Sequence, residues 1–176
     1  MDNQRITLSK RLLKEALLSF LKEKQLIDIS IKELCDRSGV NRSTFYRHYD
    51  NLSDLLSEII EEIFGMLTRT NEISFQDPDN AQNYIAEAIL FFRDHHEYDP
   101  LFFGNSSAME LLSKRMEDDI SGFLSGKDPR SQYLVRYILA GSYAIIRDWI
   151  TGGRKEDAKA LSDIIYSLSL NTAQSF

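Results

Sequence analysis

The residues best suited to specific chemistry stand together in one short segment, residues 42–48, which reads Arg-Ser-Thr-Phe-Tyr-Arg-His. An arginine guanidinium can donate two hydrogen bonds to a guanine in the major groove of DNA. Hydroxyl, imidazole and guanidinium groups can donate to phosphate oxygens. The segment therefore predicts a surface that binds nucleic acid. Its candidate contact residues are Arg42, Ser43, Thr44, Tyr46, Arg47 and His48.

The elements that must position this segment form a helix-turn-helix pattern. Ser30 and Glu33 stand at the spacing of a capping box, which predicts the start of a short helix. Gly39 can end that helix in the left-handed conformation, and Asn41 can cap a second helix over about residues 42–49. Two helices joined by a turn of three to four residues that contains a glycine are typical of the motif.

The second helix of such a motif must bury one side and expose the other. Val40, Phe45 and Tyr49 can fix it to a core. Consecutive residues on a helix point about 100° apart, so Phe45 and Tyr46 cannot both point inward. We therefore expect Phe45 in the core and Tyr46 on the outer surface. Longer amphipathic helices are predicted on either side, over residues 8–21 and from about residue 52 to 69.

Charge is distributed unevenly along the 176 residues, whose net charge is −6. Residues 1–50 contain ten Lys and Arg against seven Asp and Glu, whereas residues 51–176 contain eleven against twenty. A basic end on an acidic chain favours contact with a polyanion at that end. A surplus of this size also fits an ordinary protein surface, so it supports the motif without establishing it.

Composition points to an all-α protein of the cytoplasm. Three Pro and eight Gly are too few for an all-β chain, which needs turn residues every 8–12 positions. Apolar runs such as residues 88–92 fall far short of the roughly 20 residues of a membrane span, and the first residues do not resemble a signal peptide. The lone Cys35 cannot form an internal disulfide and is expected in the core.

Candidates for catalysis or metal binding are weak. Residues 95–99 read His-His-Glu-Tyr-Asp, but adjacent histidines on a helix point about 100° apart, which suits chelation poorly. The carboxylate pairs at residues 61–62 and 118–119 do not face each other either. No glycine-rich phosphate loop and no nucleophile–base pair is visible. The sequence therefore predicts no enzyme, no cofactor and no metal site.

The second part of the chain reads as a helical bundle, with helices over residues 81–95, 106–124, 130–151 and 155–171. The helix over residues 130–151 is apolar on nearly every side, which indicates a second burial partner. Together with the last helix it predicts a four-helix dimer interface. The predicted interface residues are Tyr133, Gly141, Ala144, Trp149, Leu161, Ile164, Ile165 and Leu168.

Aromatic side chains are frequent in this second part. Most must be core, but helical bundles readily enclose cavities between their helices. A cavity lined by aromatic rings, with His95 and Arg136 close in sequence, suits a mainly apolar effector with one polar group. The predicted pocket residues are Phe91, Phe92, His95, Phe102, Phe103 and Tyr137.

Residues 36–49 resemble the DNA-binding segment of the tetracycline-repressor (TetR) family of transcription regulators. The Gly-Val pair, the Ser-Thr-Phe-Tyr run and the His-Tyr pair within it stand at the family's spacing. The likeness covers roughly residues 8–60. Gly141 and residues 145–149 also resemble the C-terminal domain of many Firmicutes-type members.

The resemblance implies a homodimer on double-stranded operator DNA, with two recognition helices in successive major grooves. It also implies an effector, either a small molecule or a protein partner, that acts on the second domain. Residues 42–44 would approach bases or phosphates, Tyr46 and His48 would bind phosphates, and Ser30 would meet the DNA backbone. Many members carry lysines after the His-aromatic pair, where this chain has Asp50 and Leu52. Phosphate affinity would then depend more on the arginines, and Asp50 could repel DNA.

These observations predict a helix-turn-helix domain over residues 1–51 and a ligand-binding and dimerisation domain over residues 52–176, joined by a connecting helix over residues 52–69. The predicted function is a sequence-specific transcription regulator, a repressor that an effector releases from its operator. Two alternatives stay open. One is a regulator, including an activator, controlled by a protein partner. The other is a helical ligand-binding or scaffold protein that has lost DNA binding.

Overall fold

The computed structural model describes residues 2–68, 78–102, 107–108, 110–115, 118 and 128–175. Every regular element within these ranges is helical, which confirms the predicted fold class. Residues 107–108, 110–115 and 118 fall within the helix predicted over 106–124 and are helical. The α-helices are α1 (Asp2–Leu21), α2 (Ile31–Ser38), α3 (Arg42–Phe45), α4 (Leu52–Thr68), α5 (Pro78–Asp94), α6 (Pro129–Thr151) and α7 (Ala158–Gln174), with 3-10 helices at Leu26–Asp28 and His96–Leu101.

The start and end of α2 follow from the sequence. Ser30 and Glu33 form the predicted capping box, and Gly39 ends the helix with a left-handed φ of 69°. Asn41 occupies the N-cap position of α3 in an extended conformation, but its side chain makes no capping hydrogen bond, contrary to expectation. The turn is therefore fixed by Gly39 and by the side chains that follow it.

Helix α3 is shorter than predicted, because regular α-helix ends at Phe45 and residues 46–48 form a turn. The His48 amide donates to the Phe45 carbonyl at 2.9 Å, and the Tyr49 amide donates to the same oxygen at 3.0 Å. The bond from His48 spans three residues and is of the tighter 3-10 type, which is common in the last turn of a helix. The chain thus keeps winding to Tyr49, and the inward and outward directions expected of a helix persist.

The chain divides into two compact units. The first contains residues 1–63 and 100–113, and the second contains residues 64–99 and 114–176. The division falls inside α4, which therefore contributes to both units. The functional boundary predicted between residues 51 and 52 stays a prediction.

The core of the first unit joins α1, the helix-turn-helix and the start of α4. Burying one large apolar side chain stabilises a fold by about 1.5–3 kcal/mol, so the members of this core fix the helices firmly. Its fully buried side chains include Leu13, Leu17, Leu34, Phe45 and Leu55.

In the second unit, α7 packs against α5 and α6. The turn between α6 and α7 is held by Arg154, which donates to the Phe92 carbonyl at 2.9 Å and pairs with Asp99. The Trp149 indole donates to the Glu156 carbonyl at 3.0 Å. The apolar core of this unit includes Ile89, Ile150 and Ile165.

None of the described helices is long and apolar enough to cross a bilayer. Among the described residues, no three His, Cys, Asp or Glu side chains converge as a metal ion would require. Cys35 is buried in α2, and this burial raises the pKa of its thiol.

Candidate nucleic-acid interface

The segment that carries the candidate contacts, residues 42–49, is called the recognition segment, and three side chains fix it from inside, as predicted. Val40, Phe45 and Tyr49 are all buried, Phe45 completely. The Phe45 and Tyr49 ring centroids lie 5.6 Å apart. These anchors lie before, among and after the candidate contacts, so the core fixes the inner side of the segment and thereby the direction of its outer side.

The opposite face of the segment is open to solvent. Arg42, Ser43, Tyr46 and Arg47 are exposed, and Thr44 is half-buried. Tyr46 is 57% exposed, and its ring meets the buried Phe45 ring edge to face at 5.5 Å. The core thus sets the direction of Tyr46 while most of its surface stays accessible. These positions confirm the inward and outward sides predicted for Phe45 and Tyr46.

Ion pairing separates these arginines from other basic residues of the first unit. Arg37 donates to Glu23 at 3.0 Å, and Lys24 binds a glutamate of α2 at 2.9 Å. Within the described part of the chain, neither Arg42 nor Arg47 has a carboxylate within 4.0 Å. A charge without a protein partner can form charge-assisted hydrogen bonds to phosphate or guanine without first breaking an internal pair.

Ser30 is occupied by its capping role. Its Oγ donates to Glu33 Oε2 at 2.7 Å and accepts from the Glu33 amide at 3.2 Å. The hydrogen bond from the Ser30 hydroxyl is the main cause that lowers the pKa of Glu33 to about 2. Lys32, which the sequence did not single out, is exposed at the second position of α2 and has no ion pair among the described residues. A lysine in the first turn of a capped helix was the sequence signal for adding it to the candidate phosphate contacts.

His48 is only partly available for the phosphate contact implied by the resemblance. The residue is half-buried, and its Nε2 atom is buried with no hydrogen-bond partner among the described residues. Its ring lies edge-on to the ring of Tyr49, with centroids 6.2 Å apart. In this rotamer a phosphate contact has to come from Nδ1.

The two departures from the family's pattern lie where α4 begins. Leu52 is buried, so its apolar side chain belongs to the core. Asp54 Oδ2 accepts from the amides of Asp50 and Asn51 at 2.9 and 3.2 Å, and Asn51 Oδ1 accepts from the Asp54 amide at 3.1 Å. This reciprocal cap fixes the turn between the recognition segment and α4, while the Asp50 side chain remains exposed.

Four charged side chains join α1 to α4, and we call them the α1–α4 ladder: Lys10, Lys14, Glu58 and Glu62. Glu58 accepts from Lys10 at 2.9 Å and from Lys14 at 2.6 Å, and Lys14 also pairs with Glu62. Partial burial would raise the pKa of Glu58, but the hydrogen bonds from Lys14 and Lys10 outweigh it and lower this pKa to about 2.

The ladder predicts that the free energy of unfolding depends on pH in the acid range. Because the folded pKa of Glu58 is depressed from 4.5 to about 2, its stabilising contribution is complete above pH 4.5 and is lost as the pH falls through about 2. The stability difference between wild type and Glu58→Gln, measured by urea unfolding, should therefore shrink over that range. Glu61→Gln, on the same helix outside the ladder, serves as the control. Parallel pH profiles for wild type and Glu58→Gln would contradict the assignment.

Two solved structures of transcription regulators share this arrangement of helices. A TetR transcriptional regulator from Streptococcus agalactiae 2603V superimposes with a TM-score of 0.70 at 19% identity, covering 96% of this chain and 97% of its own. A TetR-family transcriptional regulator from Syntrophomonas wolfei str. Goettingen gives a TM-score of 0.71 at 16% identity, covering 94% of both chains. The chain has the TetR-regulator fold.

Two further proteins are similar to this chain. The dihydroxyacetone kinase operon activator DhaS shares the TetR-regulator fold with a TM-score of 0.56 at 19% identity, covering 96% of this chain and 97% of its own. The HTH-type transcriptional regulator YxbF of Bacillus subtilis (strain 168), itself uncharacterised, is 32% identical over 95 residues. That alignment covers 49% of this chain and spans a quarter of the relative's length. No family model matches the chain.

Within this TetR-regulator fold, the residues predicted for a dimer interface divide into two groups. Three of them are buried inside the chain itself: Trp149, Leu161 and Ile165. They are core residues of the second unit, in which α7 packs against α5 and α6, so they offer no surface to a partner. The other five keep exposed or half-exposed surface: Tyr133, Gly141, Ala144, Ile164 and Leu168.

Three of the predicted effector residues, Phe91, Phe92 and His95, lie together in the second unit. Phe91 contacts Phe92 and His95, with ring centroids 5.2 and 4.3 Å apart, and the structure adds Tyr98, stacked on Phe91 at 5.8 Å. Tyr137 is 68% exposed on α6. Phe102 is buried in the first unit, and Phe103 lies outside the described residues.

Proposed function

We propose that this protein is a sequence-specific DNA-binding transcription regulator that acts as a homodimer. One observation carries the proposal. Arg42, Tyr46 and Arg47 project from a segment fixed from inside by Phe45, and both guanidinium groups lack a protein partner among the described residues. Arginine reads guanine in the major groove, while tyrosine and exposed lysines position the protein on phosphates. The TetR-regulator fold and the similarity to other transcription regulators support the same function.

The proposed dimer surface is an apolar stripe on α6 that points away from the core of its own unit. Helical geometry places Tyr133, Tyr137, Gly141 and Ala144 on one side of α6, whereas the buried end of the helix, at Trp149, faces the other way. Tyr133 is 71% exposed. In a dimer with two-fold symmetry, such a stripe packs against the same stripe of the second copy, and both are removed from water.

Helix α7 extends this surface, since Ile164 and Leu168 are both about half exposed, four residues apart, and α7 packs against α6. A two-fold dimer would present two recognition segments to a near-palindromic operator. The four exposed or half-exposed α6 residues and these two α7 residues are the proposed interface.

The proposed mode of action is repression relieved by an effector. Repression needs only that the bound dimer occupies a promoter, whereas activation needs an additional surface for the transcription machinery. DhaS, which has the same fold, is named as an activator. Measuring transcription from a promoter that carries the operator decides whether this protein represses or activates. The cluster of Phe91, Phe92, His95 and Tyr98 in the second unit is the proposed effector region. An effector acts only by binding one state of the protein better than the other.

Arg42→Ala and Tyr46→Ala are expected to weaken DNA binding without changing the fold. A lost base contact should cost about 1–3 kcal/mol and relax specificity at one base pair, whereas a lost phosphate contact should weaken all sequences alike. The measurement is fluorescence anisotropy with a duplex selected by the wild-type protein from a random library, together with a random duplex.

Lys155→Ala is the matched control, because Lys155 is exposed in the second unit, between α6 and α7. Wild-type affinity in both Arg42→Ala and Tyr46→Ala would show that the recognition surface lies elsewhere. Failure of the wild-type protein to select any duplex, at any salt concentration, would leave the alternative of a helical protein that does not bind DNA.

A further inference from the structure

The α1–α4 ladder is built from residues one helical turn apart on each helix. Lys10 and Lys14 are neighbours on α1, and Glu58 and Glu62 are neighbours on α4. Glu58 lies between both lysines, and Lys14 lies between both glutamates. The Lys14 and Glu58 side chains keep only 14% and 28% of their surface exposed. Partly buried charges of this kind tolerate little sliding, because a shift along either helix leaves a charge without its partner.

The ladder also touches the recognition segment, through Tyr49. The Lys10 ammonium lies 5.3 Å from the centre of the Tyr49 ring. The Tyr49 hydroxyl is buried beside the Glu58 carboxylate without a hydrogen bond of good geometry, and burial followed by the negative charge of Glu58 raises the pKa of this phenol. On its other side, Tyr49 packs against Phe45, the fully buried anchor of α3. Contacts therefore run without a break from Glu58 to the base of the recognition surface.

The same helix leads away from the DNA-binding part. Helix α4 belongs to the first unit as far as Ile63 and to the second unit from Phe64. A displacement of α4 has to carry Glu58 and Glu62 with it, and the ladder resists movement of these residues relative to α1. None of the four ladder residues belongs to the exposed face formed by Arg42, Tyr46 and Arg47.

We propose that the α1–α4 ladder is the joint that fixes the recognition segment relative to α4, with Glu58 as its central positioning residue. The proposal rests on the proposed function for its effect on DNA binding. The ladder sets operator affinity without touching DNA, since it determines where Tyr49, and with it α3, is held.

The sign of the Glu58→Gln effect distinguishes this role from simple electrostatics. Removing a negative charge from a DNA-binding unit should strengthen binding to every duplex, because fewer charges repel the phosphates. A broken joint should instead weaken binding to the selected duplex by about tenfold, the usual size of such coupling, with little loss on a random duplex. Glu61→Gln makes the same charge change on α4 outside the ladder, so it controls for the change in electrostatic repulsion of the phosphates.

The experiment measures both affinities by anisotropy for wild type, Glu58→Gln, Lys14→Met and the double variant. If Lys14 and Glu58 act in one network, the double variant should lose less binding free energy than the sum of the losses in the two single variants. Amide hydrogen exchange of residues 42–49 in the free protein is measured in parallel, and Glu58→Gln should accelerate it while Glu61→Gln leaves it unchanged. Thermal unfolding verifies that each variant is folded at the temperature of the assay.

Two results would overturn the proposal. One is stronger binding of Glu58→Gln to both duplexes, and the other is unchanged amide hydrogen exchange over residues 42–49 in Glu58→Gln. A wild-type protein that binds no duplex would refute the proposed function instead. The exchange measurement would then still decide whether the ladder holds the segment, because it needs no DNA.

Discussion

Leu168→Glu is expected to yield a folded monomer that has lost its operator affinity. Leu168 is 53% exposed on α7, so the isolated chain can accommodate a carboxylate there. In the proposed dimer the same carboxylate would be buried without a partner, at a cost of several kcal/mol, and the two-fold axis introduces it twice. Operator binding by a dimer gains roughly 10²–10⁴ from engaging both half-sites, and the monomer forfeits this gain.

Sedimentation velocity and anisotropy with the selected duplex measure the two effects on one sample. Leu170→Glu is the matched control, since Leu170 is also exposed on α7 but points to the opposite side of the helix. It should remain a dimer with wild-type affinity. Ile165→Glu should behave differently again: Ile165 is 1% exposed inside the chain, so a carboxylate there should unfold the second unit. A Leu168→Glu protein that sediments as a dimer would place the interface elsewhere.

Phe45→Ala is expected to abolish DNA binding by destabilising the first unit. Phe45 is fully buried and packs against Tyr49, and truncation of a buried phenylalanine typically costs about 3–5 kcal/mol. Domains are stable by only about 5–15 kcal/mol, so much of the stability of this unit would be lost. The measurement is urea unfolding followed by circular dichroism, together with anisotropy on the selected duplex.

Tyr46→Ala provides the contrast one residue further along the chain. Tyr46 is exposed, so its truncation should change stability by no more than about 0.5 kcal/mol while it still weakens DNA binding. Phe45→Leu retains most of the buried apolar volume and should recover much of the stability lost in Phe45→Ala. Wild-type unfolding of Phe45→Ala would show that the segment is not anchored through this ring.

Local features of the sequence determined the helix-turn-helix. The Ser30–Glu33 spacing and Gly39 act over a few residues, and both produce the expected cap and turn in the structure. The alternation of Phe45 and Tyr46 follows from helical geometry alone. The residue types of the outer face, and hence the chemistry proposed for it, are likewise readable without coordinates.

The availability of each candidate contact depended on tertiary structure. Lys10 and Glu58 are 48 residues apart, and no local pattern pairs them. Lys24 and Arg37 are equally basic in sequence, but carboxylates neutralise both, whereas Arg42 and Arg47 lack such partners among the described residues. Pairing depends on which helices lie side by side, and that is a property of the packed chain.

The same limit applies to the predicted interface. Ile165 and Leu168 are both apolar residues of α7, and both fit a helix that buries one face. The packed chain covers Ile165 and leaves Leu168 half exposed. Removing apolar surface from water is equally favourable whether the covering surface comes from the same chain or from a second copy. The sequence by itself therefore determined that α6 and α7 are rich in apolar surface, and only the tertiary structure decided which part of it remains for a partner.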